Sequence, residues 1–290
     1  MVLIADSGST KTDWLLTDAD VTRKSPDDNA GPSLLKVQTQ GINPFHQGAE
    51  EISAILHTEL LPQIDAEQVQ SVCFYGSGVR PELEPLMRRL LSEVFPKAAD
   101  VQAHNDLLGA ARALCGRKAG IASILGTGAN SCLYDGDNIV ENTPPLGYIL
   151  GDEGSGAVLG RRFLNALYKG VLSKEMNEDF LRETGLAMSD VIDRVYRKPL
   201  ANRFLASLCP YIHRHLDDEA VSGIVTDCFR DFFRLNIAPY GRRDLPVAFV
   251  GSVAWYFVEQ LREAAQQEGF TLGEVTQSPL NGLLRYHTND

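Results

Sequence analysis

Twice along this chain a short apolar run enters a polar, glycine-bearing turn and re-emerges as a second apolar run. Val2–Ala5, the turn Asp6-Ser-Gly-Ser-Thr-Lys-Thr-Asp13 and Trp14–Leu16 form the first copy. Ile121–Leu125, Gly126-Thr-Gly-Ala-Asn-Ser131 and the run Ser131–Tyr134 form the second. Runs of this length and composition around a glycine turn read as β-hairpins. Each copy is followed by a third strand signal, Leu34–Val37 after the first and Asn138–Glu141 after the second, so each begins an antiparallel meander. A duplicated meander restricts the fold sharply, because each copy needs its own sheet and its own core.

The intervening patterns extend both copies. Ile52, Ile55, Leu56 and Leu60 recur at helical spacing within 47–61, and Leu83, Leu86, Leu90 and Leu91 do the same within 81–95. Strand signals at 71–75, ending in Gly76-Ser-Gly78, and at 101–104 alternate with them, and a helix follows over 107–114. In the second copy, 156 to about 244 reads as an α-rich insertion; strands at 246–250 and 271–275 flank a helix over 255–268, and a short helix covers 279–286. Arg23–Pro32 reads as a polar loop. The expectation is an α/β chain of two lobes around a ligand cleft: 1–105, with a C-terminal helix within 276–290 packing back on it, and 106–275. Trp14, Trp255 and the Phe229/Phe232/Phe233 group are assigned to the core, and His213 and His215 to solvated surface.

Composition narrows the function. Against 38 acidic residues stand 27 basic ones, a net charge of -11 that repels nucleic acid and anionic membrane. Cys73, Cys115, Cys132, Cys209 and Cys228 show no C-x-x-C spacing, which fits reduced thiols rather than zinc ligands or a disulfide framework. The N-terminal apolar run stops at Asp6, too short for a signal sequence, and no segment approaches the ~20 apolar residues of a membrane span, so a cytoplasmic location is expected.

The turns carry the chemistry. Gly8 in a tight turn exposes backbone N–H groups, and Ser9, Thr10, Lys11 and Thr12 add hydroxyl and ammonium donors, a set suited to a polyphosphate. Asp6, at the strand end, suits a hydrated Mg²⁺. A Walker A loop is excluded, since Ala5 and Thr10 stand where it needs glycine and a strand follows instead of a helix. Ser131 likewise breaks a G-x-G-x-x-G pattern in the second turn, where Gly126, Thr127 and Gly128 again offer small residues and a hydroxyl. Asp106, just past a strand and at a helix start, fits two roles by type: a helix N-cap, or a base facing a ligand. Gly151-Asp-Glu-Gly-Ser-Gly156 fits either a capped glycine turn or a sugar-binding loop through Asp152.

In order along the chain, Asp6–Asp13, Gly126–Ser131 and Val250-Gly-Ser-Val-Ala254 resemble the two phosphate motifs and the adenosine motif of the sugar kinase/Hsp70/actin superfamily, and His104-Asn-Asp-Leu-Leu-Gly109 resembles its first connecting segment. Within it, Ile124–Ser131 and Gly147-Tyr-Ile-Leu-Gly-Asp-Glu-Gly-Ser155 are similar to the family that unites N-acetylglucosamine kinases with BadF/BadG-type ATPases. The resemblance runs from Ile4 to Gly282 and is weakest in the insertion. It implies two ribonuclease H-like lobes of the actin/hexokinase type and an ATP- and Mg²⁺-dependent kinase acting on an amino sugar. Asp106 would be the catalytic aspartate, with Asn43, Ser77, Asn105, Asn130 and Asp152 toward the sugar. Gly251, Ser252 and Ala254 would meet the nucleotide, and chains of the family commonly pair. The chain departs from the pattern at Asn281 and Leu283-Leu284, where small residues are usual. It also lacks the cysteine pattern by which the activator-ATPase branch holds an iron-sulfur cluster.

Overall fold

A computed structural model describes residues 1–8, 10–18 and 34–288; Ser9 and the expected Arg23–Pro32 loop lie outside the described residues. The chain divides into two compact units, Met1–Arg117 with Pro279–Asp290, and Lys118–Ser278. The units therefore part in sequence after Arg117, beyond the 105/106 boundary read from the sequence.

The first unit holds β1 (Val2–Ser7), β2 (Lys11–Thr17), β3 (Leu34–Gln40), β4 (Ser71–Gly76) and β5 (Asp100–Asn105) in one sheet of order β3-β2-β1-β4-β5. The meander β1-β2-β3 is antiparallel, while β1 pairs parallel with β4, and β4 with β5. Helices α1 (Ala49–Ile55) and α2 (Glu84–Val94) serve as crossovers, and α3 (Asp106–Cys115) follows β5; α1 continues through a π turn at Leu56–Leu60. Parallel central strands covered on both faces require unbroken apolar runs. Accordingly Val2, Leu3, Ile4 and Ala5 are all buried, whereas edge strand β3 buries only Val37 and Thr39.

The second unit repeats the plan. Strands β6 (Gly120–Leu125), β7 (Ala129–Tyr134), β8 (Ile139–Glu141), β9 (Val247–Val250) and β10 (Leu272–Thr276) pair in the order β10-β9-β6-β7-β8. Its meander is antiparallel, and β6, β9 and β10 run parallel. Between β8 and β9 lie α4 (Gly147–Leu150), α5 (Gly156–Tyr168), α6 (Lys174–Thr184), α7 (Met188–Tyr196), α8 (Ala201–Ala206), α9 (Cys209–Arg214) and α10 (Glu219–Phe232). A π turn at Phe233–Ile237 ends α10. The expected helix over 255–268 is divided into α11 (Ser252–Tyr256) and α12 (Val258–Gln267). Phe257 at the break is buried, as are Phe229, Phe232 and Phe233, but Trp255 is 47% exposed, a correction to its assignment as core. A helix start displaced toward Gly251 rotates position 255 off the buried stripe. His213 is exposed as expected, while His215 is half-buried, stacked on Tyr211 at 4.2 Å between ring centroids.

The C-terminal helix α13 (Leu280–Thr288) returns to the first unit. Leu280 and Leu283 join Val2, Ile4, Leu15, Cys73, Tyr75 and Ala113 in a separate apolar cluster. Gly282 supplies the close approach to α3, since a Cβ there would lie 2.3 Å from the Ala113 carbonyl oxygen. One small residue thus does the work of a longer small-residue run, and the bulky Leu283 beside it is fully buried. Among the described residues no helix is long and apolar enough to cross a membrane.

Two glycine substitutions should move stability in opposite directions. Gly282→Ala overpacks the α13–α3 contact and should cost about 2 kcal/mol. Gly223→Ala, where nothing lies within 4 Å of the added carbon on the exposed face of α10, should add about 0.5 to 1 kcal/mol. Urea unfolding midpoints check both.

Candidate active site

Parallel strand pairing lines up chain ends. In the first unit Ser7 lies opposite Gly76, and Gly76 opposite Asn105, so β1, β4 and β5 finish level. Asp6, Ser77, Asn105 and Asp106 consequently gather at the carboxyl end of one sheet, the edge where open α/β sheets hold ligands.

The first hairpin is closed by a hydroxyl knot. Ser7 Oγ and Thr12 Oγ1 are 2.6 Å apart, both residues are fully buried, and Ile42 N–H donates to both, at 3.0 and 3.2 Å. Thr12 Oγ1 also donates to the Gln40 carbonyl. Thr12 therefore braces the turn from within, and its hydroxyl is directed away from the exposed side where Gly8, Thr10 and Lys11 stand. Lys11 Nζ lies 2.8 Å from Asp13 Oδ2 and is largely exposed. Of the expected donors, Gly8, Thr10 and Lys11 share the turn's open face; Ser9 lies outside the described residues.

The two roles open to Asp106 are separated by its neighbour. Asn105 is the N-cap of α3, its Oδ1 accepting from Leu108 N–H at 2.7 Å. Asp106 is the first helical residue, and its carboxylate accepts from the N–H groups of Leu107 and of Asp106 itself. Burial raises its pKa to about 6, against the lowering pull of the N–H groups of Leu107 and Asp106 itself. Asp6 is raised further, to about 7, first by burial and then by the charges of Asp106 and Asp13, with Lys11 opposing. The charge of Asp106 thus disfavours ionisation of Asp6. An all-oxygen donor set short of positive charge fits a hard divalent cation such as Mg²⁺.

Asn43 and Ser77 are drawn to the same edge. Ser77 N–H donates to the Ser7 carbonyl at 2.8 Å. Gly78, at φ +78°, packs so closely on the Asn43 amide that a Cβ would fall 2.1 Å from Asn43 Oδ1. That oxygen also accepts from Phe45 N–H.

In the second unit the corresponding edge carries Gly126 and Gly251. Ile124 pairs with Val250, and Gly251, at φ +124°, approaches Leu125 so closely that a Cβ would lie 2.3 Å from its carbonyl oxygen. The second turn closes through Gly126 N–H to the Gly128 carbonyl, and it is tied to the start of α5 by Gly156 N–H to Gly126 and Ala157 N–H to Thr127. Ser252 is exposed beside Gly251, but Ala254 is wholly buried in the core, so its side chain faces the sheet.

Asp152 is a non-glycine residue at φ +55°, a conformation that costs about 1 to 3 kcal/mol and clusters at functional sites. It accepts from Ala129 N–H, and its carboxylate lies against Gly128. Burial, then Glu153, raises its pKa to about 6. Glu153 Oε2 accepts from Asn236 Nδ2 at 3.1 Å, and Asn236 sits in the π turn ending α10. Ser155 is the cap of α5, Oγ accepting from Val158 N–H, so the 151–156 loop is both the capped turn and the carrier of Asp152.

Sequence reading missed Asn142, Thr143, Asn236 and Tyr240, which brace Asn130 and Ser131. Tyr240 Oη lies 2.8 Å from Ser131 Oγ and accepts from Thr143 N–H; Asn236 O accepts from Thr143 Oγ1. No local pattern announces partners so far apart in the chain, and only the π turn, a frequent companion of functional sites, is a structural flag.

Two sheets of one topology, each ending in a polar glycine turn, define an α/β protein of the sugar kinase/Hsp70/actin superfamily. Among solved structures, a Porphyromonas gingivalis protein provisionally described as an N-acetylglucosamine kinase matches at 48% identity and TM-score 0.93, covering 100% of this chain and 99% of that one. The chain belongs to the N-acetylglucosamine kinase family, the branch shared with BadF/BadG-type ATPases. A Chromobacterium violaceum protein of the same provisional description matches at 19% identity and TM-score 0.68, covering 99% and 98%. A ROK family glucokinase from Streptomyces griseus, solved with glucose and AMPPNP, matches at 14% and 0.51, covering 99% and 96%; these two show the fold alone. No protein-family model matches the chain. No curated protein matches it either.

The carboxylates set a pH signature of stability. With Asp6 and Asp106 at about 7 and 6 in the folded chain against 3.8 unfolded, folding takes up protons. Their contribution is full below about pH 4 and is lost as pH rises through 6 to 7. Asp6→Asn should melt higher than wild type at pH 8 in metal-free buffer, with the gap narrowing toward pH 4; a gap independent of pH would overturn the raised value.

Proposed function

We propose that this protein is an ATP-dependent kinase that phosphorylates an amino sugar, N-acetylglucosamine foremost, on its O6 hydroxyl. The observation that carries the reading is Asp106: a buried carboxylate at a strand-to-helix edge, with Asn105 capping α3 beside it. The family relationship at 48% identity over the whole chain supports the same class of reaction.

In this reading the sugar hydroxyl oxygen forms a bond to the γ-phosphorus as the bond from that phosphorus to the ADP oxygen breaks, and the hydroxyl proton passes to Asp106. A pKa of about 6 leaves Asp106 ionised at neutral pH yet more basic than an ordinary aspartate, which suits a general base. Backbone N–H groups of the Gly8 and Gly126–Gly128 turns, with Thr10, Lys11 and Thr127, meet the phosphates, and the open surface at Gly251 and Ser252 meets the nucleoside. Asp6 would hold Mg²⁺, which when bound supplies the positive charge that phosphoryl transfer requires. Asn43, Ser77, Asn105, Asn130 and Asp152 are the sugar ligands. The protein works in the cytoplasm, where ATP is supplied, and it pairs with a second copy as its family does.

The BadF-type alternative, an ATPase that activates a partner enzyme through an iron-sulfur cluster, is disfavoured by the cysteines. Cys73, Cys209 and Cys228 are pushed up to about 11 to 12, chiefly by burial, and so are held protonated.

A coupled ADP-release assay across N-acetylglucosamine, N-acetylmannosamine, glucosamine and glucose should give the highest kcat/KM for the first. No sugar-dependent ADP from any of them would remove the reading. Asp106→Asn should lower kcat about 10²- to 10⁴-fold with ATP affinity nearly unchanged. In wild type, kcat/KM for the sugar should rise with pH through about 6 as the base ionises.

A further inference from the structure

Asn130 has one end of its amide already committed. Its Oδ1 accepts from Ser131 N–H at 2.9 Å and from Asn142 Nδ2 at 2.9 Å. Asn142 Nδ2 in turn donates to the carbonyl oxygens of Ser131, at 2.7 Å, and Thr143, at 3.2 Å. The orientation of both amides follows from this network. A backbone carbonyl can only accept, so the Asn142 atom facing two of them must be the nitrogen; a backbone N–H can only donate, so the Asn130 atom facing Ser131 must be the oxygen. What Asn130 has left is its NH₂, and among the described residues Nδ2 finds no acceptor.

Resting on the proposed sugar site, we infer that Asn142 is a positioning residue that, together with the Ser131 N–H, holds Asn130 Oδ1 in place, making Asn130 a donor-only contact. The sugar oxygen it meets must act as an acceptor: a hydroxyl using its lone pair, a ring oxygen or an amide carbonyl. Asn142 is held in turn by the segment it belongs to. Thr143 is tied to Asn236 O through Oγ1 at 3.0 Å and to Tyr240 Oη through N–H at 3.0 Å, so the π turn and the 3-10 turn after it set where the Asn142 amide lies. Asn142 itself is exposed and in strand-edge surroundings, which makes it a poor candidate for a stability role.

The inference selects among substrates by chemistry. At the contacted position a fluorine, which accepts weakly and cannot donate, replaces a hydroxyl with less loss than a hydrogen does. Were Asn130 free to flip, its carbonyl could face the sugar and a hydroxyl donating there would be tolerated equally.

The experiment measures steady-state kinetics with the monodeoxy and monofluoro series of the best sugar, for wild type, Asn142→Ala, Asn142→Asp and Tyr240→Phe. Asn142→Ala should raise the sugar KM about tenfold, the worth of one net hydrogen bond, with KM for ATP and kcat nearly unchanged. Asn142→Asp should do more harm, because its carboxylate repels Asn130 Oδ1 and the Ser131 carbonyl, and Tyr240→Phe should act in the same direction as Asn142→Ala but less. The difference between deoxy and fluoro analogues at one position should be present in wild type and narrow in Asn142→Ala, where only the Ser131 N–H still holds Asn130 Oδ1. An unchanged sugar KM, or an analogue profile identical to wild type, overturns the inference. If wild type phosphorylates no sugar, the proposed function fails separately, and side-chain amide NMR still decides the polarity. Slow exchange of the Asn142 NH₂ with fast exchange of the Asn130 NH₂ supports it, and the reverse order refutes it.

Discussion

Level parallel pairing at the centre of each sheet is the constraint on which the rest depends. Because β1, β4 and β5 are paired without a register shift, the residues at their carboxyl ends emerge together: Asp6, Ser77, Asn105 and Asp106. A slip of one residue in any of these pairings would turn a carboxylate into the core and an apolar side chain out. The second sheet uses the same device with β6 and β9, where the close approach of Gly251 to Leu125 keeps the strand ends level.

Electrostatics then distinguishes residues that sequence makes look alike. Asp6, Asp106 and Asp152 are all raised, to about 7, 6 and 6, in each case chiefly by burial. Asp13, by contrast, pairs with Lys11 and accepts from Gln38. Three carboxylates kept from water carry an energetic cost that a packing role does not explain, a pattern that clusters at functional sites. The left-handed backbone of Asp152 points the same way, since nothing in the 151–156 turn obliges a side chain there.

Polar bracing gives these groups fixed directions. The buried hydroxyls of Ser7 and Thr12 lock the first turn to Ile42, and the amides and hydroxyls of Asn142, Thr143, Asn236 and Tyr240 lock Asn130 and the 142–143 segment. Thr12 shows how bracing and ligand contact compete for the same atom: its hydroxyl, legible in the sequence as a phosphate donor, is directed inward by the alternation of β2, which places Thr12 and Trp14 on the buried face. Ala254 is turned inward for the comparable reason that α11 packs its Val253–Ala254 side against the core.

The duplicated meander, the alternation of strands and helices and the position of the polar turns were fixed by the sequence alone, because apolar periodicity and glycine placement are local and each copy repeats them. So was the resemblance that led to the family. What only the tertiary structure decided was which end of each polar side chain is free. That Asn105 rather than Asp106 caps α3, that Thr12 faces inward, that Trp255 faces out and that Asn130 must donate all follow from partners brought close by sheet register and helix packing. Such directions are set by where hydrogen-bonding groups meet in space, and residues as distant in the chain as Ser131 and Tyr240 carry no trace of that meeting in their local sequence.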